Sequence, residues 1–278
     1  MGRPLADTFD RALRRRLLTG SVLAVLVVAA ILAGGPVYTI FLIAMAAAMA
    51  RELARLLETD RRLRLLLSSG ILAAALLGLP ALHIFGWRTG GTAVLALAVA
   101  VAALGGAAGR RPLAWLAATL YLLVPLASLL WLRREHPEGA LLVLWLFLVI
   151  VATDTGAYFV GRTLGGPRLA PHISPGKTWS GLAGGVVLAG AVGGVAVWLH
   201  GDGVTGALVA VPVAMLLAVV AQGGDLVESW LKRRSGVKDS GTLLPGHGGV
   251  LDRFDGVLFA APCFAALVAL ARLSGGGT

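Results

Sequence analysis

The stretch KDSGTLLPGHGGVLDRFDG, residues 238–256, gathers Lys238, Asp239, His247, Asp252, Arg253 and Asp255 in a chain that is otherwise overwhelmingly apolar. Asp252 and Asp255 stand three apart, so on a helix they share one face. Carboxylates close to several cations suit a hard, oxygen-ligated Mg²⁺ ion more than zinc. None of the five His residues forms H-E-x-x-H or another ligand pair, so His247 reads as turn structure or a phosphate donor. The turn PGHGG, residues 245–249, lets backbone approach a ligand closely.

Three upstream segments carry related groups. In QGGDLVESWLKRRSGVKDSG, residues 222–241, Asp225, Glu228 or Ser229, and Lys232 fall on one helix face. The same helix would also turn Lys232, Arg233 and Arg234 toward lipid headgroups, which is compatible with catalysis. In ATDTGAYFVGR, residues 152–162, Asp154 ends an apolar run, where a carboxylate is costly and so a functional candidate. A carboxylate snorkelling to the interface, or paired with Arg162, is the alternative. PHISPGKTW, residues 171–179, nearly spells a phosphate-binding loop, but Pro171 stands where its first Gly must be and no βα unit surrounds it. What survives is Ser174, Lys177 and Thr178 just before an apolar run, where a helix start offers N–H groups and positive potential to a phosphate. A capped helix with a lysine on the positive side of the membrane is the alternative. The chain has only three Lys against 21 Arg, and all three, Lys177, Lys232 and Lys238, lie in these segments. A compact ammonium and a planar guanidinium engage phosphate differently, which favours a site over a solvated face.

The elements that position these groups follow from composition. Hydrophobic residues make up 58% of the chain and charged residues 14%. The apolar runs suffice to cross about 30 Å of hydrocarbon as helices. An all-α polytopic membrane protein is expected, with about nine transmembrane helices at 17–34, 36–50, 65–86, 91–109, 113–132, 139–160, 179–200, 204–222 and 251–272. The net charge of +10 sits between the spans with no soluble basic domain, which argues against nucleic acid and for anionic lipid or a phosphate-bearing substrate. With the N-terminus inside, twenty Lys and Arg fall on the cytoplasmic side and only Arg88, Arg133, Arg134 and Arg272 outside. Both polar loops, 161–178 and 223–250, then face the cytoplasm, as does the polar site. Residues 1–150 read as a transmembrane scaffold and 151–278 as the catalytic region. Gly and Ala recurrences such as LAGGVVLAGAVGGVAV, residues 182–197, indicate close helix packing. The single cysteine, Cys263, allows no intramolecular disulfide.

Ser229, Leu231, Lys232, Arg233, Lys238, Asp239, Gly241, Leu244, Pro245, His247, Gly248, Gly249, Val250, Asp252, Arg253, Phe254 and Asp255 together resemble the signature of phosphatidate cytidylyltransferases, also called CDP-diacylglycerol synthases. DTGAYFVGR and SPGKTW also look like family segments, although the family usually has a second lysine at Gly176 and an acidic residue at Ser180. The resemblance covers the C-terminal half closely and the N-terminal half in hydropathy only. It implies CMP transfer from CTP to phosphatidate, requiring Mg²⁺, in phospholipid biosynthesis at a bacterial cytoplasmic membrane. Asp225 and Asp252 are the implied metal ligands. Lys238, Asp239, Arg253 and Asp255 are expected in catalysis, and Asp154, Ser174, Lys177, Thr178, Lys232, Arg233 and His247 in substrate binding. Besides CTP and membrane lipid, a homodimer partner is compatible with it.

Two rivals would share parts of this pattern. A CTP-dependent lipid kinase would use the same nucleotide and metal but release CDP. A transporter would show broken helices in corresponding positions of repeated halves, and no internal repeat is visible.

Overall fold

The computed structural model describes residues 5–274 except Pro245 and His247, with side chains from Leu18 onward. Among the described residues there are eight α-helices: α1 (Leu5–Ala33), α2 (Gly35–Leu57), α3 (Arg61–Ala107), α4 (Pro112–Glu135), α5 (Gly139–Leu164), α6 (Trp179–Val197), α7 (Gly203–Arg234) and α8 (Leu251–Ser274). Apolar segments with no water to hydrogen-bond must satisfy their backbone internally, and helices do so. The described residues also form an antiparallel hairpin, β1 (Arg168–Ala170) with β2 (Ser174–Thr178), pairing Arg168 with Thr178 and Ala170 with Ser174.

Among the described residues, five helical stretches are long and apolar enough to cross a membrane. Two of them, Arg61–Ala107 and Trp179–Arg234, run for 47 and 56 residues. Their breaks coincide with boundaries expected from hydropathy. Gly86 interrupts α3 at φ 76°, and a π-helical turn, Trp198–Asp202, with Gly201 at φ 112°, separates α6 from α7. Glycine takes these positive φ values without the steric penalty a side chain would meet. Asp60 starts α3 by accepting hydrogen bonds from the Arg62 and Leu63 amides at 2.7 and 3.1 Å, bonds that hold its carboxyl below the usual carboxylate range.

Contacts divide the chain into two compact units, one of residues 1–123 with 237–254, the other of 124–236 with 255–278. In the first unit α2 packs on α3, and Trp115 of α4 donates through Nε1 to the buried Glu58 carboxylate, which also pairs with Arg110 at 2.9 Å. The second unit is built on α6 between α5 and α7. There a Cβ on Gly185 would stand 2.7 Å from the Thr153 carbonyl oxygen, so the glycine-rich face of α6 permits the close approach of α5. That approach brings the last turns of α5 beside the hairpin and the start of α6.

Candidate active site

In the second unit, the polar residues collect where α5 ends, α6 begins and α7 ends. Asp225, Glu228 and Asp255 each offer a carboxylate oxygen, all within 4.8 Å of one another. Asp225 and Glu228 lie three apart on α7, and Asp255 comes from α8. Gly224 lets α8 in, because a Cβ there would lie 2.7 Å from the Asp255 carbonyl oxygen. Such a concentration of negative charge needs counter-charge. Lys177 Nζ lies 2.6 Å from Asp225 Oδ2, and Lys232 Nζ 2.8 Å from Glu228 Oε2. Glu228 is fully buried, and Ser229 Oγ donates to Asp225 Oδ1 at 3.2 Å.

A polar relay runs from this cluster to Asp154. Lys177 Nζ donates to Gln222 Oε1 at 2.9 Å, and Gln222 Nε2 donates to Asp154 Oδ1 at 3.2 Å. The relay borders a cavity of about 650 Å³ lined in part by Asp154, Arg162, Arg168, Lys177, Gln222 and Asp225. Several glycines, including Gly161, Gly165 and Gly176, contribute backbone to its wall. Arg162 reaches Tyr158, donating to its hydroxyl at 2.6 Å. Arg168 donates weakly to the Gly176 carbonyl at 3.4 Å, and Arg233 Nε to the Ile173 carbonyl at 3.3 Å.

The residues expected to bind substrate thus differ in their engagement. Lys177 and Asp154 line the cavity and Lys232 joins the acidic cluster, whereas Thr178 caps α6, its Oγ accepting from Gly181 N at 3.0 Å. Ser174 begins β2 and is half-buried. His247 lies outside the described residues.

In the first unit, the loop leading into α8 is ordered by two carboxylates. Asp252 accepts from Ser240 N at 3.0 Å and Gly249 N at 2.8 Å. Glu52, on α2, accepts from Ser240 Oγ at 3.1 Å, Val250 N at 3.0 Å and Leu251 N at 2.8 Å. Lys238, Asp239 and Arg253 are exposed around this framework. Sequence reading did not single out Glu52, Gln222 or Arg168, and it noted Glu228 only as a possible neighbour of Asp225 on one helix face. The partners of Glu52 and Gln222 lie far along the chain, where spacing carries no signal.

A family model described as the cytidylyltransferase family matches residues 14–271. The chain belongs to the cytidylyltransferase family. Among similar members, the phosphatidate cytidylyltransferase of Brucella suis is 41% identical over 264 residues, covering 90% of both chains. The enzyme of that name from Haemophilus influenzae is 41% identical over 167 residues, covering 56% of this chain and 57% of its own. That of Bacillus subtilis is 43% identical over 145 residues, covering 50% and 51%. The family match extends through both units, so the scaffold helices of the first belong to the cytidylyltransferase as much as the signature loop does.

Proposed function

We infer that the chain is a membrane-embedded phosphatidate cytidylyltransferase, transferring CMP from CTP to phosphatidate in phospholipid synthesis. The observation that carries this reading is 41% identity over 90% of both chains to an enzyme of that name. The cationic cavity beside a carboxylate cluster supplies the chemistry it needs. A phosphatidate phosphate oxygen attacks the α-phosphorus of CTP, forming a new P–O bond, while the bond to the bridging α–β oxygen breaks and pyrophosphate leaves. The second pKa of a phosphate monoester lies near ~6, so the attacking oxygen is already largely anionic at neutral pH and needs no general base. The demand is to position two polyanions and stabilise charge developing on pyrophosphate.

The three oxygen donors of Asp225, Glu228 and Asp255 fit a hard divalent cation, and these residues are proposed to hold Mg²⁺. Bound there, Mg²⁺ would neutralise polyphosphate charge. Asp252, whose Oδ2 accepts from Ser240 N and Gly249 N, remains a proposed ligand on the strength of the family resemblance. Lys177 is held by Asp225 and Gln222 at the cavity wall, where its ammonium can meet a phosphate oxygen without searching rotamers. Arg162 and Arg168 add positive charge to the same wall. Lys238, Asp239 and Arg253, exposed beside the ordered loop, are proposed to act in catalysis, the two cations by stabilising charge on the phosphates.

With labelled CTP and phosphatidate, the purified protein should yield a CMP-lipid and one pyrophosphate per turnover. Release of CDP with a phosphorylated lipid would instead establish a lipid kinase. We propose further that the chain crosses the cytoplasmic membrane nine times, with its N-terminus and polar site on the cytoplasmic face, from the distribution of basic residues. A reporter fused after Thr278 and a cysteine label at exposed Thr242, in a Cys263→Ser background, should then report opposite sides. The same side for both would remove a crossing.

A further inference from the structure

Glu52 is a carboxylate only 3% exposed, set in the last two turns of α2, a segment that the polar residues of the sequence do not mark as functional. A buried carboxylate is tolerated only when its oxygens are well supplied with donors. Here Oε1 accepts from Val250 N, and Oε2 from Leu251 N and Ser240 Oγ. The Val250 and Leu251 amides lie at the start of α8, where N–H groups have no intrahelical acceptor and helix polarity favours an anion. Glu52 therefore caps α8 from a different helix. It also fastens the far end of the loop, because Ser240 gives its hydroxyl to Glu52 and its amide to Asp252.

The glycines of the loop fit this carboxylate. A Cβ on Gly241 would stand 2.5 Å from Glu52 Oε1, and one on Gly249 2.5 Å from Oε2. Two glycines thus clear the space into which Glu52 inserts, while Asp252 accepts from Gly249 N on the same short segment. Glu58, six residues on, offers a contrast. It is also buried, but its partners are Trp115 and Arg110 of the helical scaffold, not the loop.

Resting on the assignment of Lys238, Asp239 and Asp252 to the transfer site, we infer that Glu52 is a positioning residue for the reaction, holding Ser240 and the first turn of α8 so that the loop presents those side chains in one arrangement. Glu52→Gln keeps the shape and one acceptor but must turn an NH₂ group toward a donor. A misplacement of about 1 Å at such a site costs roughly 10²-fold in rate, so kcat should fall by about that factor. The melting temperature in detergent should stay close to that of the parent protein. Amide exchange, followed by mass spectrometry over residues 238–256, should accelerate at least about tenfold in that segment alone. Ser240→Ala, which removes one donor without burying a new group, should show both effects in weaker form. Glu58→Gln, the control, should lower the melting temperature and leave kcat of the folded protein near that of the parent.

The inference is overturned if Glu52→Gln and Ser240→Ala keep normal kcat and loop protection, or if Glu52→Gln loses activity only in proportion to unfolded protein. Asp252→Asn run in parallel separates the two levels. Full activity there removes the loop from the site, whereas loss there with normal Glu52→Gln activity and exchange removes only the positioning role.

Discussion

Replacing Asp225 with Asn should lower kcat by about 10³-fold or more, equivalent to roughly 4 kcal/mol of transition-state stabilisation, while the protein remains folded in membranes. Asp225 is the carboxylate where the two arms of the site meet. It joins Glu228 and Asp255 in the acidic cluster and receives the Lys177 ammonium at 2.6 Å. Asn is nearly isosteric and can still accept from Ser229, so the local helix should survive. What it loses is the charge on which both a divalent cation and Lys177 depend. The loss should therefore appear without CTP as well. Binding of Mn²⁺, followed by its electron paramagnetic resonance signal, should weaken in Asp225→Asn and in Asp255→Asn. Normal turnover at saturating Mg²⁺ in both variants would take the cluster out of the reaction. Lost turnover with unchanged Mn²⁺ binding would assign Asp225 to holding Lys177 alone.

Lys177→Met should be nearly as damaging, with a fall in kcat/KM of about 10²–10³-fold, the scale seen when a preorganised donor to a developing oxyanion is removed. The ammonium is held on three sides, by Asp225 Oδ2 at 2.6 Å, Gln222 Oε1 at 2.9 Å and the Gln222 carbonyl at 3.5 Å. That cage suits a compact cation and not a planar fork. Lys177→Arg preserves charge and membrane orientation, yet should still lose at least about tenfold in kcat/KM. Equal activity of Lys177→Arg and the parent protein would reduce Lys177 to a basic residue at the membrane face. Gln222→Leu tests the relay, because it removes the acceptor that orients the ammonium and the donor that reaches Asp154. Its loss should lie between those of the two Lys177 variants.

Much of this was legible in the sequence, for definite reasons. Long apolar runs admit only helices in hydrocarbon, so the helical class followed from hydropathy alone. Breaks at Gly86 and Gly201 fall where the apolar runs pause, because positive φ is open chiefly to glycine. Contacts within one helix were also readable. Lys232 meets Glu228 at i, i+4, the spacing that brought that face of α7 into view. The scarcity of lysine pointed to Lys177, Lys232 and Lys238; the first two are paired to carboxylates of the acidic cluster, whereas Lys238 is exposed on the loop before α8.

Tertiary structure alone decided which carboxylates meet and what holds the signature loop. Asp255 comes to Asp225 and Glu228 by the packing of α8 on α7 at Gly224, a contact between separate helices. Gln222 reads as one polar residue in an apolar helix until β2 brings Lys177 to it across 45 positions. Glu52 lies 188 residues from Ser240 and 199 from Leu251, and in sequence it is one more charge beside Arg51 and Arg55. Periodicity reports which face of a helix is buried, since burial depends on each residue's own polarity. It does not report partners, because a hydrogen bond between distant residues depends on how whole helices pack, and that is fixed only when the chain has folded.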